Sequence, residues 1–458
     1  MPARAARTHM EEPPFRLARN TASILVTKAV LLVLRFVGIW LLTVALGDAG
    51  LGPFGVVTSF ALLLQGASSL GLAYANTCFI AKDSSRRDEL HSTTLIVTAV
   101  VGALVVTALI LGRRTLAGAV LRNVEPGWLL VAAIAFPFAL YAHYIVGLWT
   151  GEEQISRINR LELLRAVVYV LGLVLVVLAL PRTVSGALWF WAASFVVMGV
   201  TAGGVLLWRD RVRWSWRAAG FGDALRFSLV GYLGDIASMT HQWFGLFVIN
   251  HYIGKATAGA YFLALLIAAN IFWLMADAVR RAGARRVIGA DQAPSWELVA
   301  AMTRVTFWTL LLPAALLMVA SPWLVPAIFR GFEGSVRPLQ VLLPAFVLAS
   351  CGIVLAYYVI GNRRRPQVVT VIAWVALAVN ILLSLTLVRS FGVMGVAVAA
   401  AVSFSLPFLL LLPVFYRWGH SPGDLFVPRR EDIEYFRSLF RYLRGHIEAR
   451  SDNTTQSA

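Results

Sequence analysis

The sequence predicts an all-α polytopic membrane protein: about twelve transmembrane helices in two six-helix lobes related by a parallel pseudo-twofold. Three observations carry that prediction. Of 458 residues, 59% are hydrophobic and 14% charged, whereas a soluble globular chain carries nearer a quarter charged. Apolar runs of about 18 residues or more recur along the whole chain, and each is long enough to cross a bilayer. Finally, the two halves can be laid over each other at one constant shift of sequence number.

Spans are predicted at 21–46, 54–80, 92–112, 127–149, 161–180, 185–207, 227–251, 256–279, 298–321, 338–360, 366–388 and 392–416. Each is expected to be helical, because lipid offers no partner to a backbone N–H or C=O. Pro137, Pro313, Pro344, Pro407 and Pro413 fall inside spans and mark expected kinks. The first 19 residues are polar and arginine-rich, and the first apolar run exceeds a signal-peptide core, so no cleavable signal is expected. Cys78 and Cys351 lie within spans and read as small apolar residues, not as a metal or disulfide pair.

Loop charge sets the expected orientation. Arginines and lysines concentrate in the N-terminus and in alternate loops, including Lys82, Arg86, Arg87, Arg157, Arg209 to Arg217, Arg280 to Arg286 and Arg363 to Arg365. The positive-inside bias places those loops and both termini in the cytoplasm. The net charge of +17 is therefore explained by membrane orientation, and nucleic acid is not expected as a partner. Trp128, Trp149, Trp208 and Trp323 lie near span ends, as interfacial anchors do. Beyond residue 417, Ile433, Phe436, Phe440, Leu443 and Ile447 recur at helical spacing with arginines between them. An amphipathic helix at about 431–447 on the anionic membrane face is expected.

At a shift of 207, Arg19 meets Arg226, Gly47 meets Gly254, Gly52 meets Gly259, Pro137 meets Pro344 and Arg182 meets Arg389. The expected organisation is a cytoplasmic segment 1–20, a lobe 21–207, a linker 208–225, a second lobe 226–416 and a tail 417–458. Parallel repeats of this kind are a transporter signature, with the site between the halves near the midplane.

The segments LGDAGLGPFG (46–55), IGKATAGAYF (253–262), SLGLAYANTCFIAK (69–82), IFRGFEGSVRPLQVLLPAF (328–346) and FGVMGVAVAAAVS (391–403) carry a family pattern. Over about residues 20–416 the chain resembles polysaccharide and O-antigen flippases of the multidrug/oligosaccharidyl-lipid/polysaccharide exporter superfamily. The resemblance implies a V-shaped pair of lobes in the bacterial cytoplasmic membrane. Its implied cargo is an oligosaccharide on polyprenyl pyrophosphate, moved from inner to outer leaflet without catalysis or cofactor. Membrane lipids, glycosyltransferases and a polysaccharide polymerase of the same pathway are the implied partners. Two alternatives stay open: a multidrug exporter of the same superfamily, and an integral-membrane polysaccharide ligase or polymerase. The ligase and polymerase readings need a sizeable outward loop, and the longest here, about 113–126 and 322–337, are short.

Charges inside spans nominate the site. Arg35 lies about 21 Å along the first span at 1.5 Å per residue, too deep to snorkel, so it faces a wet cavity or a partner. It reads as a contact to pyrophosphate, which a guanidinium grips bidentately, or as a structural polar contact. Lys28 lies two turns earlier on the same face. At the 207 shift Lys28 corresponds to Asp235, a candidate for ion coupling or gating, and Arg35 to Gln242, a candidate substrate contact. Arg304, two turns into the ninth span, is a further candidate. Arg165 and Asp277 read as ordinary interfacial charges. Gln65, Asn270 and Asn380 read as helix-to-helix hydrogen bonders. No metal-ligand cluster, catalytic triad or phosphate loop is expected.

Overall fold

The computed structural model describes residues 14–215, 217–288, 296–361, 363 and 365–429. Within these the chain forms eleven α-helices and no strand. They are α1 (Pro14–Ser68), α2 (Leu72–Lys82), α3 (Arg87–Thr115), α4 (Pro126–Gly151), α5 (Ile155–Leu178), α6 (Val184–Gly204), α7 (Ala218–Tyr252), α8 (Lys255–Ile288), α9 (Trp296–Ile328), α10 (Val336–Gly361) and α11 (Pro366–Arg417). Local chemistry starts several of them. Pro126 and Pro366 occupy first helical positions, where a missing N–H costs nothing. The Thr183 side chain caps α6 through the Gly186 N–H, and Asp88 and Glu89 favour the first turn of α3.

Nine of these helices are long and apolar enough to cross a membrane. The difference from the predicted twelve has two physical sources. α1 and α11 each join two predicted spans across a bend, at Gly47 (φ 60°) and Gly392 (φ 58°), which only a residue without a Cβ adopts cheaply. α7 falls outside the nine; besides Asp223, Arg226 and Asp235 it carries His241, Gln242, Asn250 and His251, which lower its hydropathy. No non-helical backbone angle marks Pro137, Pro313, Pro344, Pro407 or Pro413. The expected tail helix at 431–447 lies outside the described residues.

The helices pack in two groups. α3 against α4, α4 against α6, α5 against α6, and α1 against α5 build the first half. α7 against α11, and α10 against α8, α9 and α11, build the second. The halves meet where α1 packs on α8 and where α1 and α2 pack on α7. At the α1–α8 crossing the contact is reciprocal. A Cβ on Gly52 would overlap the carbonyl oxygen of Lys255, and one on Gly259 would overlap that of Asp48. It would also stand 2.9 Å from the Gly259 nitrogen in the first case and 3.1 Å from the Gly52 nitrogen in the second. Residues 48 and 52 correspond to 255 and 259 at the 207 shift. The same pair of positions thus faces itself, the mark of a twofold contact. One turn on, Gly55 lies under the ring of its own counterpart, Phe262.

The arginine-rich end of the bundle is built differently in the two halves. In the first, Arg87 pairs bidentately with Glu152, and Asp210 accepts from Arg157 at 2.6 Å and lies 3.8 Å from Arg87. In the second, the chain after α11 folds back as a short turn, Pro422–Leu425, onto α9. There the His420 ring stacks on Trp296 at 4.2 Å, and Trp296 donates to Asp424 at 3.2 Å. Trp149, expected at the interface, is instead fully buried, with the Arg157 guanidinium 5.9 Å from its ring centre.

Candidate functional site

Arg35 sits on the buried stripe of α1. Leu31 and Ile39, one turn either side, are closed off, while Val33 and Val37 on the opposite stripe are exposed. That azimuth directs the guanidinium away from lipid, toward α5 and α8. Across the boundary between the halves it donates to the Asn270 side-chain oxygen at 3.4 Å. The Asn270 amide nitrogen in turn donates to the Leu266 carbonyl one turn back, at 2.8 Å, which turns the oxygen toward Arg35. A guanidinium has five N–H donors; the bond to Asn270 is the one that Arg35 makes among the described residues.

A second arginine joins it. Gly38 lets α1 approach α5, with Val170 and Tyr169 nearest. One turn back along each helix, Arg35 and Arg165 lie level and near enough for their charges to repel. The Arg165 guanidinium carbon lies over the Phe195 ring of α6, 4.9 Å from its centre, and Glu162 is near enough to attract it. Arg165 is therefore not an ordinary interfacial charge. It stands ten residues into α5, about 15 Å from its start.

Beside the Arg35–Asn270 contact runs an apolar groove of about 440 Å³, lined by Phe36 and Trp40 of α1, Ile267 and Ile271 of α8, and Leu317 and Leu324 of α9. On the arginine-rich side of the site, α7 is fastened to the first half. Ser228 donates to the Leu70 carbonyl at 3.1 Å, Tyr232 donates to the Ala67 carbonyl, and Gly71 leaves room for both residues.

The other predicted site residues are distributed around this core. Gln242 is half-buried on α7 and makes no bond to Arg35. Asp235 is exposed on α7 and lies within electrostatic reach of Tyr74, whose ring stacks on Phe227 at 5.7 Å. Lys28 lies in α1 with its side chain outside the described residues. Arg304 is a correction: it is 2% exposed and donates to the Asp424 backbone carbonyl at 2.6 Å, holding the Pro422–Leu425 turn in place. The azimuth of α9 buries it within the second half, away from the boundary. Of the mid-span amides, Asn380 bonds across helices, to the His241 carbonyl at 2.9 Å. No group of three or more metal-ligating side chains occurs among the described residues.

Two packed helical halves that meet at a glycine contact, built from helices long and apolar enough to cross a bilayer, define a multi-pass membrane protein. The chain belongs to the polysaccharide biosynthesis protein family, whose profile matches residues 17–281, more than half of it. Its fold is similar to the lipid II flippase MurJ in an inward closed conformation, with a TM-score of 0.71 at 12% identity, covering 87% of this chain and 89% of that one. It is also similar to a multidrug resistance MATE family transporter of the MOP superfamily in an inward-facing conformation. That match has a TM-score of 0.65 at 16% identity and covers 86% and 97% of the two chains. An outward-facing MATE structure matches with a TM-score of 0.60 at 16% identity, covering 86% and 92%. No curated protein matches the sequence.

Proposed function

We propose that this protein moves a polyprenyl-pyrophosphate-linked oligosaccharide, an O-antigen, capsule or exopolysaccharide repeat unit, from the inner to the outer leaflet of the bacterial cytoplasmic membrane. The observation that carries the reading is Arg35: an arginine at mid-bundle, turned from lipid toward the opposite half, with one loose bond to a neutral amide. An intramembrane arginine costs at least about 2.5–3.5 kcal/mol on insertion scales. A phosphate ligand offsets that cost with charge-assisted, bidentate hydrogen bonds. The apolar groove beside it suits a polyprenyl chain whose headgroup reaches Arg35. On this reading twelve spans form two lobes, 21–207 and 226–416, that rock in alternating access. Both termini are cytoplasmic, the protein carries no catalytic centre, and glycosyltransferases and a polymerase work upstream and downstream of it. An inside-negative potential favours outward movement of an anion by about 2.3 kcal/mol per charge per 100 mV.

The test is polysaccharide export in cells whose own copy is deleted. Arg35→Ala is expected to abolish export at unchanged membrane levels. Arg35→Lys, which keeps the charge and loses the planar fork, is expected to export at an intermediate rate. Normal export by Arg35→Ala at wild-type levels overturns the substrate-site reading.

A further inference from the structure

We infer that Arg165 is the second cation of the Arg35 site, and that an anion held between the two guanidinium groups releases the Arg35–Asn270 hydrogen bond that ties the halves together. The inference rests on the flippase reading and adds the step by which cargo would loosen the closed protein.

Its first support is level. The first segment of α1 and α5 run in the same direction, and Gly38 brings them together at Tyr169 and Val170. Arg35 and Arg165 each lie about one turn back from that contact, so they occupy the same depth. Its second support is that neither arginine is satisfied in the way a buried structural cation is. Among the described residues Arg35 bonds to a neutral amide, and Arg165 has the face of Phe195 and the attraction of Glu162. Two like charges side by side in a low-dielectric interior repel, and an anion between them converts that repulsion into two attractions.

The third support is the asymmetry of the Asn270 contact. Asn270 is pre-aimed by its bond to Leu266, yet the Arg35 nitrogen stands 3.4 Å from its oxygen, beyond the usual N–H···O range. A phosphate oxygen is a charged acceptor and outcompetes a neutral amide oxygen for the same guanidinium. Arg35 belongs to the first half and Asn270 to the second. Transfer of Arg35 from Asn270 to a ligand on its own half therefore removes a tie between halves while leaving the Gly52–Gly259 contact intact. A ligand that must break such a tie binds more weakly than one that meets it already broken.

The experiment is binding of farnesyl pyrophosphate, with inorganic pyrophosphate as competitor, to the full-length protein in lipid nanodiscs, read by tryptophan fluorescence. Arg165→Ala is expected to weaken binding about tenfold, the scale of a lost charge-assisted contact. Arg165→Lys is expected to fall between it and wild type. Asn270→Leu, with Asn270→Ala as its smaller counterpart, is expected to tighten binding several-fold. Arg165 variants that bind like wild type place Arg165 outside the site and overturn the inference. Asn270 variants that bind unchanged or more weakly show that the bond is not a latch, and overturn it equally. Loss of binding in Arg35→Ala with no effect of the other substitutions overturns this inference alone. A wild-type protein that binds neither pyrophosphate overturns the headgroup reading of Arg35 as well. Competition by inorganic pyrophosphate separates headgroup recognition from capture of the chain. Size-exclusion profiles and melting curves identify any variant that fails to fold, and the conservative substitution at the same position then decides.

Discussion

Among the described residues, the two halves hold their arginine-rich ends together by different contacts. The first half uses charge: Arg87, Arg157, Glu152 and Asp210 knit the loops after α2, α4 and α6, and the Asp210 side chain is only 6% exposed. At the 207 shift Arg87, Glu152 and Asp210 fall on Pro294, Val359 and Arg417, so this set of ion pairs is not repeated at the corresponding positions; among the described residues the second half has Arg429 on Asp424 at 2.6 Å. Most of the described contacts there are aromatic. Trp296 stacks on His420 and packs against Phe415, Arg363 lies over Trp418, and Phe426 sits edge-on to Phe307 and Phe408. The lesson is that positions related by the 207 shift can share a backbone contact, as Gly52 and Gly259 do, while the loops beyond them close by different chemistry. Ion pairs depend on salt and desolvation; aromatic contact depends on buried area.

The comparison can be broken. The largest effect is expected from Trp296→Ala, which removes the centre of the aromatic clasp: about 3 kcal/mol by the scale of core Trp truncation, read as a lower unfolding midpoint in detergent. Asp210→Asn is expected to cost about 2 kcal/mol, because two arginines lose their shared, nearly buried counter-ion. Raising NaCl from about 0.1 to 1 M should narrow the gap between wild type and Asp210→Asn by screening and leave the Trp296→Ala gap unchanged. Equal salt sensitivity of the two variants ends the distinction. The smallest effect concerns His420. Burial, and then the Arg363 cation 3.3 Å away, hold its imidazole below the ordinary range. The folded state therefore binds fewer protons at this site than the unfolded one. Its contribution to stability is fully present above about pH 6.5 and is lost as pH falls through the depressed folded value. His420→Phe should keep the stacking and flatten that part of the pH–stability curve.

Much of the architecture was legible in the sequence because lipid permits few solutions. Long apolar runs became helices, and the 207-residue shift matches the reciprocal contact of Gly52 and Gly259. The site was legible in part. Depth along a helix follows from counting, so Arg35 could be singled out. Azimuth does not, so Arg304 was nominated although α9 turns it into the second half. Arg165 was missed through a boundary: α5 begins at Ile155, six residues before the predicted span. Its first turns carry Arg157 and Arg160, which dilute the apolar signal, and the late start made a deep arginine read as shallow. Asn270 gave no signal of its own beyond being a polar side chain in a span.

The glycine crossing has a mechanical consequence. Between Gly52 and Gly259 backbone touches backbone, with no side chain that must repack when one helix rolls on the other. From there to the end of α1 at Ser68 is about 16 residues, a lever arm of roughly 24 Å at helical rise. Turning one half by about 10° about that fulcrum would sweep the end of α1 through about 4 Å at the same rise, while the crossing itself barely moves.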